Sequence, residues 1–381
     1  MKLYFDNAAA VPVSSAAMER LTVLTRDFSA NQEASGAAGE AVRSALAGAE
    51  RRLLDALCGS ASQGHSVLWT NTGTDAVRAA VMAFLLTPEK HGGVLFTDGE
   101  HASFPPALDL LPASCPRTRV ELRRDGRIDL DDLARKLDGN TRLVVFHWVQ
   151  SETGAVQDLA AVRDLLKSAA PRAALLVDGI QGAGKLPFDF AAVRPDFLLV
   201  SGQKLGLPSG AVMVYSDAFR PAVKKIRSER HSIGRVPPPF CLLLAEALAG
   251  RLAEMDKHLA YIRDLRTTFL NELKRALPDG CWRETIPPEN ASPYIAHLLF
   301  SDGRQTYQGA ILTRIMAKFG ASIASGSACD AETGTPSRVL TAMGFGREEA
   351  FSAVRVSFFD QNTPDEVAEL AQLLARAVRE Y

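Results

Sequence analysis

The sequence predicts an α/β protein: a mostly parallel sheet with helices on both faces, followed by a smaller α+β unit. Three observations predict it. Strand-like and helix-like stretches alternate from residue 67 to residue 215, the pattern of repeated βαβ units. Two short apolar runs, ALLV at 174–177 and FLLV at 197–200, read as strands buried on both faces. Past Tyr215 the alternation stops, and a proline-rich break, HSIGRVPPP, leads into a long helical pattern and then a mixed segment.

Taken in order, residues 1–15 read as an extended arm with turn signals at Asp6-Asn7 and Pro12. Ser14 or Ser15 can cap a helix running to about residue 25, SANQEASG is a loop, and 40–57 is helical. Strands are expected at 67–70, 94–97, 120–122, 143–148, 174–177, 197–200 and 211–215. Helices are expected at 75–86, 130–137 and 159–169. A long helix from Phe240 past Leu270 comes next, then strands at 294–300 and 354–358 and helices at 309–319 and 364–379. The expected division is an arm (1–15) associated with a small domain, a large domain (16–250) and a small C-terminal domain (251–381).

Composition narrows the function classes. The chain has 381 residues, 47% apolar and 23% charged, and a net charge of −1, so nothing draws it to nucleic acid or an anionic membrane. Its five cysteines lie far apart with no C-x-x-C, which argues against a disulfide framework or a zinc site and suits a reducing compartment. MKLYFDNAAAVP lacks the apolar region of a signal peptide, and no apolar run reaches the length of a membrane span. The expected location is cytoplasmic.

The chemistry concentrates at strand ends, where open α/β sheets bind ligands. Asp178 closes one apolar run, with Gln181 three residues on; Ser201 closes the other, followed by Gln203 and Lys204. A strand-end lysine can form a Schiff base, and a buried carboxylate can hold a pyridinium nitrogen protonated, so the pair describes a pyridoxal phosphate (PLP) site. Alone, the pair is more often a strand-end Asp and a surface Lys. TNTGTDAV (70–77) joins strand to helix and offers Gly73 and Thr74 as an anion cup, or Thr72 or Thr74 as an ordinary cap. His101, after Glu100, can stack on a ring and shuttle protons, or be a satisfied histidine. Gln150 in QSETG can donate to a cofactor oxygen or cap its loop. Cys329 sits in a Gly/Ser/Ala/Thr run, exposed and mobile rather than core, where a thiolate is accessible. Arg355 lies in an apolar strand and needs a carboxylate partner, either a substrate or, more commonly, an internal Asp or Glu.

Order and spacing together resemble the cysteine desulfurases, fold-type I PLP enzymes of the class V aminotransferase family, from Tyr4 to the C-terminus. YFDNAAAVP is similar to L-D-N-A-A-T-T-P, TNTGTDA to T-S-G-A-T-E, and VQSETG to V-N-N-E-T-G. VDGIQGAGKLPFD is close to V-D-A-x-Q-x-x-G-K-x-P-x-D, and SGQK resembles S-A-H-K. SGSACDAETGTPSRVLTAMG is similar to S-G-S-A-C…E-P-S-x-V-L-x-A-L-G, the piece that separates desulfurases from other class V enzymes. The chain departs from the family at Gln203 in place of His and at NQEASG in place of N-P-S-S-x-H. It departs again at HSIGRVPPP, where Ser232 or Arg235 would stand in for a cross-subunit phosphate contact, and at FFDQNT.

The resemblance implies a large domain with a seven-stranded, mostly parallel sheet, and a small domain carrying the Cys329 loop. It implies PLP on Lys204, its phosphate on Gly73, Thr74 and Ser201, its nitrogen on Asp178 and its ring oxygen on Gln181. His101 would stack on the ring, Gln150 and Gln203 would support the cofactor, and Arg355 with Asn7 would bind substrate. The implied reaction converts L-cysteine to L-alanine, with sulfur held as a persulfide on Cys329 for a protein acceptor. The implied assembly is a homodimer, serving iron–sulfur cluster assembly or another sulfur pathway. The alternative is a class V lyase for selenocysteine or cysteine, or an aminotransferase, in which Cys329 is dispensable. A scaffold without turnover is disfavoured by the presence together of Lys204, Asp178 and His101.

Overall fold

The computed structural model describes residues 3–87, 92–228, 234–326 and 335–381. Its main sheet has seven strands: β2 (His65–Thr70), β3 (Gly93–Phe96), β4 (Arg117–Arg119), β5 (Thr141–His147), β6 (Ala174–Asp178), β7 (Phe197–Ser201) and β8 (Ala211–Ser216). Their order is β2-β8-β7-β6-β5-β3-β4, and every pair is parallel except those that β8 makes. The carboxyl ends of β2, β3, β5, β6 and β7 therefore share one edge of the sheet.

The alternation of side chains explains why both faces are covered. On β6, Leu175 and Val177 join one apolar cluster, while Ala174 and Leu176 join the other. The second cluster is roofed by the helix Gly73–Leu85, whose Ala76, Val77, Ala80 and Phe84 are fully buried. The helices Leu159–Ala169 and Pro238–Ala253 pack on the opposite face. A strand buried on both sides has no polar face to display, so the sequence reads as an unbroken apolar run.

The remaining strands build a second region. β9 (Trp282–Glu284), β10 (Ile295–Phe300) and β12 (Ala353–Ser357) form an antiparallel sheet, β12-β10-β9. The arm contributes β1 (Leu3–Tyr4), parallel to β11 (Ala321–Ser322), and Asp6 bridges to Ser357. Helix Pro364–Arg379 opens with a Thr363–Glu366 capping box and packs on Met255–Ala276. No helix among the described residues is long and apolar enough to cross a membrane.

Two expectations are corrected. The edge strand is Arg117–Arg119, not 120–122; it pairs on one side only, with β3, so it needs no apolar run. The long helix from Phe240 is two helices, Pro238–Ala253 and Met255–Ala276, divided at Glu254. The first packs on Ala37–Cys58 and the second on Pro364–Arg379, so the chain turns to serve two partners.

Candidate active site

A cavity of about 540 Å³ opens at the carboxyl edge of the main sheet. Five strand ends deliver its walls: β2 leads to Thr72–Thr74, β3 to Glu100 and His101, β5 to Gln150, β6 to Asp178 and Gln181, and β7 to Ser201 and Lys204. The second region adds Arg338, Val339 and Arg355, and the arm adds Ala8 and Ala9.

One end of the cavity is an anion cup. Thr72 caps the helix Gly73–Leu85 by accepting from the Asp75 amide at 3.1 Å, which leaves the first-turn amides of Gly73 and Thr74 without helical acceptors. A Cβ on Gly73 would come within 2.7 Å of Ile180 Cδ1, so a larger residue here would push the Ile180 side chain aside. Ser201 is buried beside it.

The floor carries the reactive pair. Asp178 accepts a bond from the Ile180 amide at 3.0 Å. Burial pushes its carboxyl up to about 6; the nearby Glu100 charge adds to this, against the Ile180 bond and the His147 and Lys204 charges. Lys204 Nζ donates to the Ala9 carbonyl. Burial and then the Arg355 charge depress its amine to about 8, against Asp6 and Asp178. Gln181 donates to the Ala8 carbonyl at 2.7 Å and accepts from Lys185 at 3.3 Å.

His101 stands at the mouth with one edge open and its ring against the cavity wall, its Nδ1 bonded to Ser103 Oγ at 2.8 Å and accepting the Ser103 amide at 3.2 Å. Enclosure of the ring, then the Lys204 and Arg338 charges, lower its pKa, so the neutral imidazole is favoured. Behind it, Glu100 accepts from Thr97 at 2.8 Å and from His147 Nδ1 at 3.0 Å, and His147 Nε2 meets Gln157 at 2.9 Å.

Of the residues singled out in the sequence, Gly73, Thr74, His101, Gln150, Asp178, Gln181, Ser201, Gln203, Lys204 and Arg355 all line this one cavity. Three of the singled-out residues have partners within the protein. Gln150 serves its loop: its oxygen accepts the Glu152 and Thr153 amides at 2.6 and 2.7 Å, and its amide nitrogen donates to Gly99 at 3.1 Å. Asn7 is buried outside the cavity lining, donating to the Ser357 carbonyl at 2.7 Å and to Asn362 at 3.1 Å; it anchors the arm. Arg355 has an internal partner, Asp6, at 2.7 Å, and also donates to the Ser151 carbonyl at 2.8 Å. Arg235 pairs with Glu33. Cys329 and Ser232 lie outside the described residues.

Sequence reasoning missed the Glu100–His147–Gln157 chain, Lys185, Arg338 and the pairing role of Asp6. Lys185 alone left a signal, a lysine inside the otherwise apolar GAGKLPF, and it is 2% exposed.

The aminotransferase class-V family model matches residues 3–226. A cysteine desulfurase of Gluconacetobacter diazotrophicus is 28% identical over 98% of this chain and 92% of its own length. Among solved structures, a NifS-like protein superposes with a TM-score of 0.84 at 19% identity, covering all of both chains. SspA in complex with cysteine superposes with a TM-score of 0.74 at 22% identity, covering 95% of this chain and 100% of its own. With more than half of its length matched by the family model and the strand-end constellation in one cavity, this chain belongs to the aminotransferase class-V family.

Proposed function

We propose that this chain is a PLP-dependent cysteine desulfurase. It converts L-cysteine to L-alanine and holds the sulfur as a persulfide on Cys329 for transfer to a protein acceptor, acting as a homodimer. One observation carries the reading: Asp178 and Lys204, at the ends of the adjacent strands β6 and β7, border a single cavity closed at one end by a helix N-terminus. The desulfurase relative, alike over 98% of the chain, and the SspA structure in complex with cysteine support the substrate class.

The residues present fit PLP. The Gly73 and Thr74 amides with Ser201 suit a phosphate, Asp178 suits a ring nitrogen, Gln181 suits a ring oxygen, and the Lys204 amine suits the carbonyl carbon. When bound, the cofactor supplies an electron sink for the substrate's Cα electrons.

The protein supplies the rest. An amine of pKa about 8 at Lys204 is partly neutral near pH 8 and can accept the Cα proton. His101, favoured neutral, can stack at the mouth and pass protons to solvent. The Cys329 thiolate attacks the substrate sulfur: an S–S bond forms, the substrate C–S bond breaks, and the released pair is protonated at Cβ to give alanine. No outside oxidant is needed, because the sulfur carries the oxidation to the enzyme. The four described cysteines are free thiols, which suits a reducing cytoplasm.

The test is to purify the protein with PLP, record its visible spectrum, add L-cysteine with a reductant, and quantify alanine and sulfide. Equimolar products from the wild type, and none from Cys329→Ser with its spectrum intact, are expected. Full turnover by Cys329→Ser would instead favour a class V lyase in which this thiol is dispensable.

A further inference from the structure

Among the described residues, Arg338 is a cation without an anionic partner. It opens the helix Arg338–Ala342, capped by Ser337, which accepts the Leu340 amide at 3.1 Å. Its guanidinium lines the cavity, and its one hydrogen bond among the described residues runs from Nη2 to the Glu100 carbonyl at 2.6 Å. That bond uses one of five N–H donors. Among the described residues no carboxylate forms an ion pair with it. Glu100 uses Oε1 for Thr97 and His147 while its Oε2 is buried without a hydrogen-bond partner, Asp6 is bonded to Arg355, and Glu152 lies 3.8 Å from His297. Asp178 answers to the Ile180 amide and the floor of the cavity.

A half-buried guanidinium on the wall of a cavity that also holds Lys204 and Arg355 gives up solvation, and among the described residues a single carbonyl bond is all it receives in return. An anion delivered by a ligand would repay it. The cofactor phosphate has its own cup at Thr72–Thr74 and Ser201, fed by β2 and β7, whereas Arg338 is fixed to the β3 wall at Glu100, next to His101. The substrate α-carboxylate is left to Arg355 in this reading: its Nη atoms bond Ser151 and Asp6, and its buried Nε has no hydrogen-bond partner among the described residues.

We propose that Arg338 is the specificity-determining residue for the substrate side chain, and that it selects amino acids whose side chain carries negative charge, the thiolate of cysteine among them. The inference rests on the PLP-enzyme reading of the cavity. Holding the side chain as an anion keeps the sulfur end of the substrate on the Arg338 wall, away from the Arg355 end.

The experiment titrates the holoenzyme with two isosteric amino acids, L-aspartate and L-asparagine, following the visible spectrum to obtain a dissociation constant for each. The wild type is expected to prefer aspartate by roughly 10- to 100-fold, the worth of one charge-assisted hydrogen bond. Arg338→Gln is expected to abolish the preference while leaving asparagine and PLP affinity unchanged, and Arg338→Lys to restore part of it. An equal preference in wild type and Arg338→Gln would overturn the proposal. So would a loss of both amino acids together, which would make Arg338 an α-carboxylate ligand, or a loss of PLP alone, which would make it a phosphate ligand. Failure of the desulfurase reading appears separately, as absence of sulfide from L-cysteine whatever the aspartate preference.

Discussion

Asp178 is a carboxylate held against its own solvation. Its pKa of about 6, up from 3.8, means that the folded chain keeps a proton which the unfolded chain releases between those values. That contribution to stability is full below pH 3.8 and is lost as pH rises through 6, so at neutral pH the cofactor-free protein carries a buried charge. Asp178→Asn should therefore stabilise the cofactor-free protein at pH 7.5 by up to about 3 kcal/mol, with the gain shrinking toward pH 4. Urea denaturation at both pH values measures it, and an unchanged midpoint at pH 7.5 would contradict the argument. The same variant should lose affinity for PLP, a cost of function set against stability. Lys204 is the mirror case: its amine, depressed from 10.5 to about 8, should reach half-maximal acylation in the cofactor-free protein near pH 8, read by peptide mass spectrometry. Half-maximal labelling near 10.5 would mean an amine free in water. Both residues were legible because each follows an apolar run whose end must lie at the sheet edge. The Glu100–His147 pair was not, because it joins strand ends 47 positions apart, and no spacing rule spans that distance.

At the scale of elements, the turn after β6 is the most tightly fitted piece of the site. Gly182 lies against the Trp148 ring, where a Cβ would fall within 2.3 Å of the indole, and that ring is itself packed on Phe188 at 4.6 Å between centroids. The indole cannot yield without moving the aromatic group behind it, so Gly182→Ala should cost about 1–3 kcal/mol. It should also displace the adjacent Gln181 and weaken PLP binding. Thermal unfolding and a PLP titration test the two effects, and a variant with wild-type values for both would show that the turn has slack. The strands flanking this turn could be read from sequence because every residue of β6 and β7 is buried. β4 could not, since an edge strand with two exposed arginines carries no apolar signature. The break at Glu254 was equally silent, as it answers to the partners of two helices and not to a local breaker.

Across the whole molecule, residues 3–11 stitch the cavity to the last strand of the chain. Phe5 donates to Ser322 and accepts from Ser357, Asn7 holds Ser357 and Asn362, and Ala8 and Ala9 offer their carbonyls to Gln181 and Lys204. The arm read from sequence as extended with a turn, and its hydrogen bonds, which run to residues some 350 positions away, had no local trace. The charged stitch is Asp6 with Arg355, whose side chain is 6% exposed while that of Asp6 is 22% exposed. Removing Asp6 leaves the guanidinium buried with a carbonyl as its remaining partner, and stranding a charge costs more than losing the pair. Asp6→Ala should therefore destabilise the cofactor-free protein by about 3 kcal/mol, whereas Asp6→Ala combined with Arg355→Leu should recover most of that loss. A double-mutant cycle by urea denaturation resolves the coupling. Coupling of about 2 kcal/mol or more would mean that the arm stabilises the chain by neutralising Arg355, leaving its remaining donors, the buried Nε among them, for a ligand. Strict additivity would mean that the apolar anchors Leu3 and Phe5 hold the arm alone, with Asp6 a bystander to the site.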